Sequence, residues 1–290
     1  MFRTRKAVFI IAVLALCAAI AAALYYQPLI LRKPATTTST STTSTPQTQP
    51  ATPATSTTTS TQTHATSAAT STGGEGGKRI SLTDLSTPDK LLSTFKHVKI
   101  SVDVMNSSGG RTHVSISFSI VPGETIGNED TLKLILNVSS ENETETGILW
   151  ISKNYSSVLK LQMPNGETLV GPQANMYGMM ILQQLNAYLL TTGDIGHLTV
   201  TLDTNGKYAT SLTGWEVTNV KHTTLKVGGS TYEGYVITLK NINDTNSSAK
   251  IMEVGIAKLS PNLWYYSYIN LELKNGGTAS FKVDEIELNP

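Results

Sequence analysis

Apolar and polar residues alternate with a period of two along most of the chain beyond about residue 80. "HVKISVDVM" has valine or isoleucine at every second position from Val98 to Val104, and "RTHVSISFSI" repeats the pattern from Val114 to Ile120. Because successive side chains of a strand point to opposite faces, each stretch has one apolar and one polar face. With "NSSGG" between them, the two stretches predict an antiparallel hairpin that is half exposed to water.

The same alternation continues to the end of the chain, with turn sequences such as "PNG" at residues 164–166 and Asn205–Gly206 between the apolar stretches. Further strands or hairpins are predicted at residues 131–139, 147–153, 157–163, 167–170, 197–202, 204–212, 223–240, 251–259, 263–274 and 278–288. Short links and the absence of a βαβ rhythm predict a mainly β domain. We expect one large, curved antiparallel sheet, half-barrel or barrel-like, because curvature limits exposed edges.

Two segments have helical spacing instead. "SLTDLSTPDKLLSTF" predicts a weaker first helix, with Ser86 or Thr87 as the N-cap and Pro88 in the first turn. "QANMYGMMILQQLNAYLLTTG" predicts a second helix that ends near Gly193. One or two helices would thus pack in the hollow of the sheet.

The second helix has two interpretations. It is either a core helix on the concave side of the sheet or an adaptable lid over an apolar cavity, since methionine side chains adjust to varied ligands. The candidate lid residues are Met176, Tyr177, Met179, Met180, Ile181, Leu185 and Tyr188.

The N-terminal 33 residues predict a membrane anchor. The uncharged run Ala7–Tyr26 would span about 30 Å as a helix, the thickness of a bilayer core. Arg3, Arg5 and Lys6 favour a cytoplasmic N-terminus and an extracytoplasmic C-terminal part. A cleaved signal peptide is the main alternative, and pilin-type processing near "RKAV" is another.

Residues 34–77 are rich in Thr, Ser and Pro and have too few apolar residues to form a core. This composition predicts a disordered stalk that carries O-glycans and reaches roughly 120 Å if extended like polyproline II. The tract resembles the Thr/Ser-rich stalks of archaeal cell-surface and solute-binding proteins. Residues 78–290 would then form one extracytoplasmic domain.

Overall charge and cysteine content exclude several classes of protein. The net charge of +1 gives no basic excess for nucleic acid, and we expect none as a partner. Cys17 is the sole cysteine, so neither disulfides nor a cysteine-based metal site is predicted.

Polar residues in the predicted domain form no recognisable catalytic or metal-binding motif. A symmetric first hairpin would place Asp103 opposite His113, which predicts an exposed cross-strand ion pair. "DTNG" at Asp203 is part of a calcium-loop pattern but lacks the distal Glu, so it predicts a hairpin turn. We therefore expect a protein without catalytic residues, cofactor or metal.

Six Asn-x-Ser/Thr sequences are candidate N-glycosylation sites, because they fall in or near predicted turns of an exported domain. They begin at Asn106, Asn137, Asn142, Asn154, Asn243 and Asn246. Aromatic residues concentrate in "NLWYYSYI", where alternation places Trp264, Tyr266 and Tyr268 on one face and Tyr265 on the other. That face is either part of the core or a stacking surface for sugar or peptide.

The order of elements resembles a known family. The first helix, "GILWISKNYSSVLKLQMPNGETLVG", the second helix and the closing "INLELKNGGTASFKVDEIELNP" are similar to the half-barrel of bacterial lipoprotein carriers and related lipid-binding envelope lipoproteins (LolA/LppX-like). The resemblance implies an apolar ligand, such as an acyl chain, between sheet and helices, and no catalytic residues.

The sequence as a whole predicts a single-pass membrane protein of the cell surface whose β-rich domain binds an apolar or lipid-like ligand without catalysis. The alternative is a structural or adhesive envelope component that acts through contacts with an envelope protein or with sugar.

Overall fold

The computed structural model describes residues 79–140, 143–189, 193–203, 205–244 and 247–290. The predicted anchor and stalk, including the run Ala7–Tyr26, lie outside these residues and stay predictions. None of the helices within the described ranges is long and apolar enough to cross a membrane.

Strands dominate the described part of the chain. The helices are α1 (Pro88–Thr94), α2 (Gly171–Tyr188) and the single turn α3 (Gly193–Gly196). The strands are β1 (Arg79–Ser81), β2 (Phe95–Met105), β3 (Arg111–Ile126), β4 (Glu129–Ser140), β5 (Thr144–Ser152), β6 (Val158–Gln162), β7 (Thr168–Val170), β8 (Thr199–Leu202), β9 (Tyr208–Thr210), β10 (Trp215–Val227), β11 (Ser230–Asn241), β12 (Ala249–Ser260), β13 (Leu263–Leu273) and β14 (Thr278–Leu288).

Most strands belong to one 11-stranded antiparallel sheet in the order β10-β11-β12-β13-β14-β2-β3-β4-β5-β6-β7. The last strand, β14, pairs with β2, so the two halves of the domain join in the middle of the sheet. A 3-stranded sheet has the order β1-β8-β9. The predicted mainly β class is thereby confirmed, as is the first hairpin, in which β2 pairs with β3 around residues 106–110.

The large sheet is open and strongly curved. Its edges are β7 and β10, so it is not a closed barrel. In a flat sheet, β10 would lie about 19 Å from β14, four strand spacings away. However, a Cβ atom added to Gly228, in the β10–β11 turn, would be only 3.0 Å from the backbone nitrogen of Ile286 in β14. The sheet must therefore curl until this turn reaches β14.

The concave side of the sheet and the two longer helices share one hydrophobic core. α1 contributes Leu91 and Leu92, and it packs against β2 and α2. α2 contributes Leu182 and Leu185, and it packs against β6 and β7. The expected placement of two helices against the sheet is thus present, with α2 near one end of the ladder.

The observed ends of α1 and α2 agree only in part with the ends predicted from the sequence. Thr87 is the N-cap of α1 and is followed by Pro88, as predicted, although its side chain makes no capping hydrogen bond. α2 ends at Tyr188 rather than near Gly193, which instead begins α3. The earlier end coincides with tertiary hydrogen bonds to the carbonyl of Leu189, described below.

Candidate functional site

The outer surface of α2 is the most apolar exposed part of the described domain. Val170, at the N-cap, is 64% exposed, Met176 is 54% exposed and Met180 is 43% exposed. Met176 and Met180 are four residues apart and so lie on one face of the helix. We call Met176 and Met180 the α2 outer surface. Only two other large hydrophobic side chains of the described residues, Met105 and Ile242, are comparably exposed.

The inner face of α2 approaches β6 so closely that it admits no larger side chain at one position. A Cβ atom added to Gly178 would lie 2.5 Å from Cγ1 of Val158. The backbone N–H of Val158 also donates to Oδ1 of Asn175, at 3.0 Å. This part of α2 is therefore fixed to the sheet by packing and by a hydrogen bond.

Buried tyrosines hold the C-terminal end of α2. The hydroxyls of Tyr265 and Tyr266 both donate to the carbonyl of Leu189, the C-cap residue, the former at 3.3 Å. Tyr188 is buried beside them. Burial raises the pKa of both Tyr265 and Tyr266, so these hydroxyls keep their protons and remain donors. They satisfy a carbonyl that a helix end would otherwise leave without an intrahelical partner.

A second contact ties α2 to the segment before α1. The side-chain amide of Asn186 donates to the carbonyl of Ser86, at 2.7 Å. The N–H of Ser86 in turn donates to Asp84, at 3.1 Å. Lys90 forms an ion pair with Asp84, and together with Ser86 it lowers the carboxyl pKa to about 2.

These contacts change the interpretation of the candidate lid residues. Leu185 and Tyr188 are buried, and Tyr177, Met179 and Ile181 are partly buried against the core. Met176 and Met180, however, are about half exposed to solvent, so these two methionines are not packed beneath α2, and the lid interpretation stays a prediction. The core-helix interpretation describes the inner face, and the outer face is available for contacts from outside.

The aromatic candidates on β13 do not form one surface. Tyr266 is 1% exposed and belongs to the core, so the expectation that it contributes to an exposed stacking surface is wrong. A register shift between Gly255 and Ile256 inserts one extra residue into β13. This residue lies between Tyr266 and Tyr268, so the alternation that placed these two side chains on one face fails. The hydroxyls of Tyr265 and Tyr266 meet at the same carbonyl.

Trp264 and Tyr268 are partly exposed. The ammonium of Lys258 lies 5.7 Å from the centre of the Trp264 ring, within the range of a cation–π contact. The ring of Tyr268 covers Gly255, where an added Cβ would be 2.5 Å from its Cε1. Burial and the neighbouring Glu253 raise the pKa of Tyr268 to about 12. Tyr268 is thus neutral at physiological pH and lies flat on the sheet.

Three of the candidate glycosylation sites are described in full by the structure. Asn106 and Asn154 lie in exposed turns, whereas Asn137 lies within β4. Asn243 is also exposed, but residue 245 of its motif lies outside the described residues. The same is true of Asn142 and Asn246 themselves.

Several of the described acidic and basic side chains form ion pairs on the surface. His113 and Asp103 are 2.9 Å apart and exposed, which confirms the predicted cross-strand pair. The turn at Asp203 is also confirmed, because the N–H of Gly206 donates to its carbonyl at 3.1 Å. In the ranges that the structure covers, no three His, Cys, Asp or Glu residues are grouped as a metal site would require.

Comparisons with known proteins give distant structural similarity only. No family model matches the chain, and no curated protein matches it. The Mycobacterium tuberculosis lipoprotein LppX is 11% identical, covers 66% of this chain and 86% of its own length, and has a TM-score of 0.26. A DUF1329 family protein from Desulfovibrio piger is 8% identical, covers 71% of this chain and 91% of its own length, and has a TM-score of 0.25.

LppX belongs to the group that the order of elements predicted, so the expected weak resemblance is found. At a TM-score of 0.26 it assigns neither a ligand nor a function to this chain.

Proposed function

We propose that the chain is a membrane-anchored, non-catalytic protein of the cell surface whose β-rich domain binds an apolar or lipid-like ligand on the α2 outer surface. The observation that carries this proposal is the exposure of Met176 and Met180 on a helix whose opposite face is closely packed. The resemblance to lipoprotein carriers implies a ligand between sheet and helices, whereas we propose the outside of α2 because its methionines are exposed.

The chemistry of the α2 outer surface suits such a ligand. Methionine side chains are unbranched and polarisable, so they fit apolar ligands of varied shape. Burying a methionine completely is worth roughly 1.5–3 kcal/mol, and these two side chains are about half exposed. Their burial under an acyl chain would therefore supply a useful part of the binding free energy. The fixed helix also favours binding, because α2 loses little conformational freedom when a ligand binds.

Photolabelling tests this proposal in the full-length chain. A diazirine-bearing palmitate is added to membranes that contain the protein, activated by light, and located by mass spectrometry after trypsin digestion. We expect labelled residues within α2, which lies in the tryptic peptide of residues 161–207. Met176→Gln with Met180→Gln should remove most of this label.

The matched control is Ile242→Gln, because Ile242 is 52% exposed and lies in the β11–β12 connection, away from α2 in sequence. This variant should keep the label. Equal labelling of both variants, or label confined to the predicted span at residues 7–26, would contradict the proposed site.

A structural or adhesive role is a second candidate, and the outer face of the sheet favours it. Ser101, Ser115, Ser139 and Thr144 are in register across β2, β3, β4 and β5. Such a row of small hydroxyls can hydrogen-bond a polar partner, and Tyr268 lies on the same sheet. Cross-linking of the full-length protein on whole cells tests this role, which predicts a recurrent envelope partner that is lost when Ser115 and Ser139 are replaced by Lys.

A further inference from the structure

The asparagine of one Asn-x-Ser sequence closes the β2–β3 turn. Oδ1 of Asn106 accepts hydrogen bonds from the Ser108 N–H at 3.1 Å, the Ser108 hydroxyl at 2.8 Å and the Gly110 N–H at 2.8 Å. The carboxamide oxygen is thus fully engaged, while Nδ2 has no hydrogen-bond partner among the described residues. The side chain is exposed.

The β5–β6 turn repeats this arrangement. Oδ1 of Asn154 accepts from the Ser156 N–H at 3.2 Å and from the Ser156 hydroxyl at 2.7 Å. Tyr155, between them, has a φ of 60°, and it is the sole non-glycine residue with positive φ in the described part of the chain. Its partly buried side chain packs against the core and holds the turn in this shape. Unfavourable backbone conformations persist where the surroundings fix them, frequently at functional sites.

Asn137 is placed differently, because β4 keeps the chain extended. Residues two apart in a strand are about 6.8 Å apart, so the Ser139 hydroxyl cannot bond to Asn137. It accepts from Thr144 instead, at 3.0 Å. Both ends of the Asn137 amide are engaged across the sheet, Oδ1 with Thr146 at 2.7 Å and Nδ2 with Ser117 at 3.5 Å.

We propose that Asn106 and Asn154 are N-glycosylation acceptors and that Asn137 is not. The inference rests on the extracytoplasmic location in the proposed function. An amide nitrogen is a weak nucleophile because its lone pair is delocalised into the carbonyl. Hydrogen bonds donated to Oδ1 favour the charge-separated form, which makes the Nδ2–H more acidic. The turn also presents Nδ2 to solvent, where a transferase can reach it.

The co-substrate is a lipid-linked glycosyl phosphate or diphosphate. A bond forms between Nδ2 and C1 of the first sugar, and the bond between C1 and the phosphate oxygen breaks. The lipid phosphate leaves with the electron pair, and the Nδ2 proton passes to a base of the transferase. Nothing is oxidised or reduced in this step.

Site occupancy is measured on the full-length protein isolated from the cells that naturally produce it. Trypsin places Asn106 in residues 100–111, Asn154 in residues 154–160 and Asn137 in residues 134–153, which also contain Asn142. Fragmentation of the peptide of residues 134–153 in the mass spectrometer distinguishes glycan on Asn137 from glycan on Asn142. We expect glycan on Asn106 and Asn154 with at least tenfold higher occupancy than on Asn137.

Variants at the third residue of each Asn-x-Ser motif test whether glycosylation depends on the hydroxyl group or on the fold of the turn. Ser108→Ala and Ser156→Ala should each abolish glycan at the preceding asparagine alone, while Ser108→Thr and Ser156→Thr should retain it. The threonine variants keep the hydroxyl, so they also show whether the turn tolerates a change at these positions.

Protease treatment of intact cells tests the location of the domain independently. If the domain is digested from outside and either Asn106 or Asn154 is bare, or Asn137 is equally occupied, this inference is overturned and the proposed location stands. If the domain is protected from the protease, the proposed location and this inference both fail.

Discussion

The two faces of α2 have opposite relations to the rest of the molecule. The inner face presents Gly178 and Leu182 to the sheet and to the core, with Val158 in direct proximity to Gly178. The outer face presents Met176 and Met180 to solvent. Both faces are rich in apolar residues, so hydrophobicity alone does not distinguish them.

What distinguishes the faces is the fit to neighbouring atoms. The inner face combines the close approach of Gly178 to Val158, buried side chains, and the hydrogen bond from the Asn186 side chain to Ser86. The outer face has flexible side chains without a comparable packing partner among the described residues. This difference indicates that the inner face stabilises the fold and that the outer face is available for binding. The predictions below test that separation with the unfolding free energy of the detergent-solubilised full-length chain, followed by tryptophan fluorescence in guanidinium chloride.

Leu182→Ala should have the largest effect. Leu182 is fully buried, and removing its branched end leaves a cavity, so we expect a loss of about 2–5 kcal/mol. The control is Met176→Ala on the outer face, with an expected change within about 0.5 kcal/mol. Equal losses for the two variants would remove the distinction between the faces.

Gly178→Ala should destabilise the protein by about 1–3 kcal/mol, because its new methyl group would overlap Val158 and force the helix and β6 apart. In an exposed helix interior the same change is favourable by about 1 kcal/mol, so the sign of the effect is informative. Gln183→Ala, at an exposed position of α2, is the control and should be nearly neutral. A more stable Gly178→Ala protein would show that α2 is not fixed against β6.

The double change Tyr265→Phe with Tyr266→Phe should cost about 1–3 kcal/mol, since it leaves the Leu189 carbonyl without its two hydroxyl donors. Either single change should cost less, because the other hydroxyl remains. Tyr268→Phe is the control, as this side chain is partly exposed and bonds elsewhere. A neutral double variant would mean that these tyrosines do not hold the end of α2.

Local pattern was sufficient to predict much of the fold. The alternation around Val98 and Val114 predicted a hairpin that the structure contains, and Pro88 marked the start of α1. These features depend on neighbours in sequence. The contact of Gly228 with β14 joins strands that are distant in sequence. Alternation predicted the strands but not how far the sheet curls or that it stays open.

The candidate site was less predictable, because contacts between distant residues decide it. The pairing of Leu189 with Tyr265 and Tyr266 spans over seventy residues, and the extra residue in β13 is invisible to a period-two pattern. One signal was available in the sequence. Gly178 lies inside a helix, where glycine is unfavourable, and this commonly marks a close approach of another element.

The smallest expected effect concerns Asp84, which supports the inner face indirectly through Ser86 and Asn186. Its folded-state pKa of about 2, set mainly by the hydrogen bond from Lys90 and then by Ser86, is below the ordinary carboxyl value. The charged form is therefore favoured by folding. Its contribution is present at pH values above the unfolded pKa near 4 and is lost as the pH falls towards 2.

Since Asp84 and Lys90 are about half exposed, this contribution should be below about 1 kcal/mol. Asp84→Asn should flatten the decline in unfolding free energy between pH 4 and 2 by that amount. An unchanged decline in Asp84→Asn would show that the charged form of Asp84 does not stabilise the folded protein in this pH range.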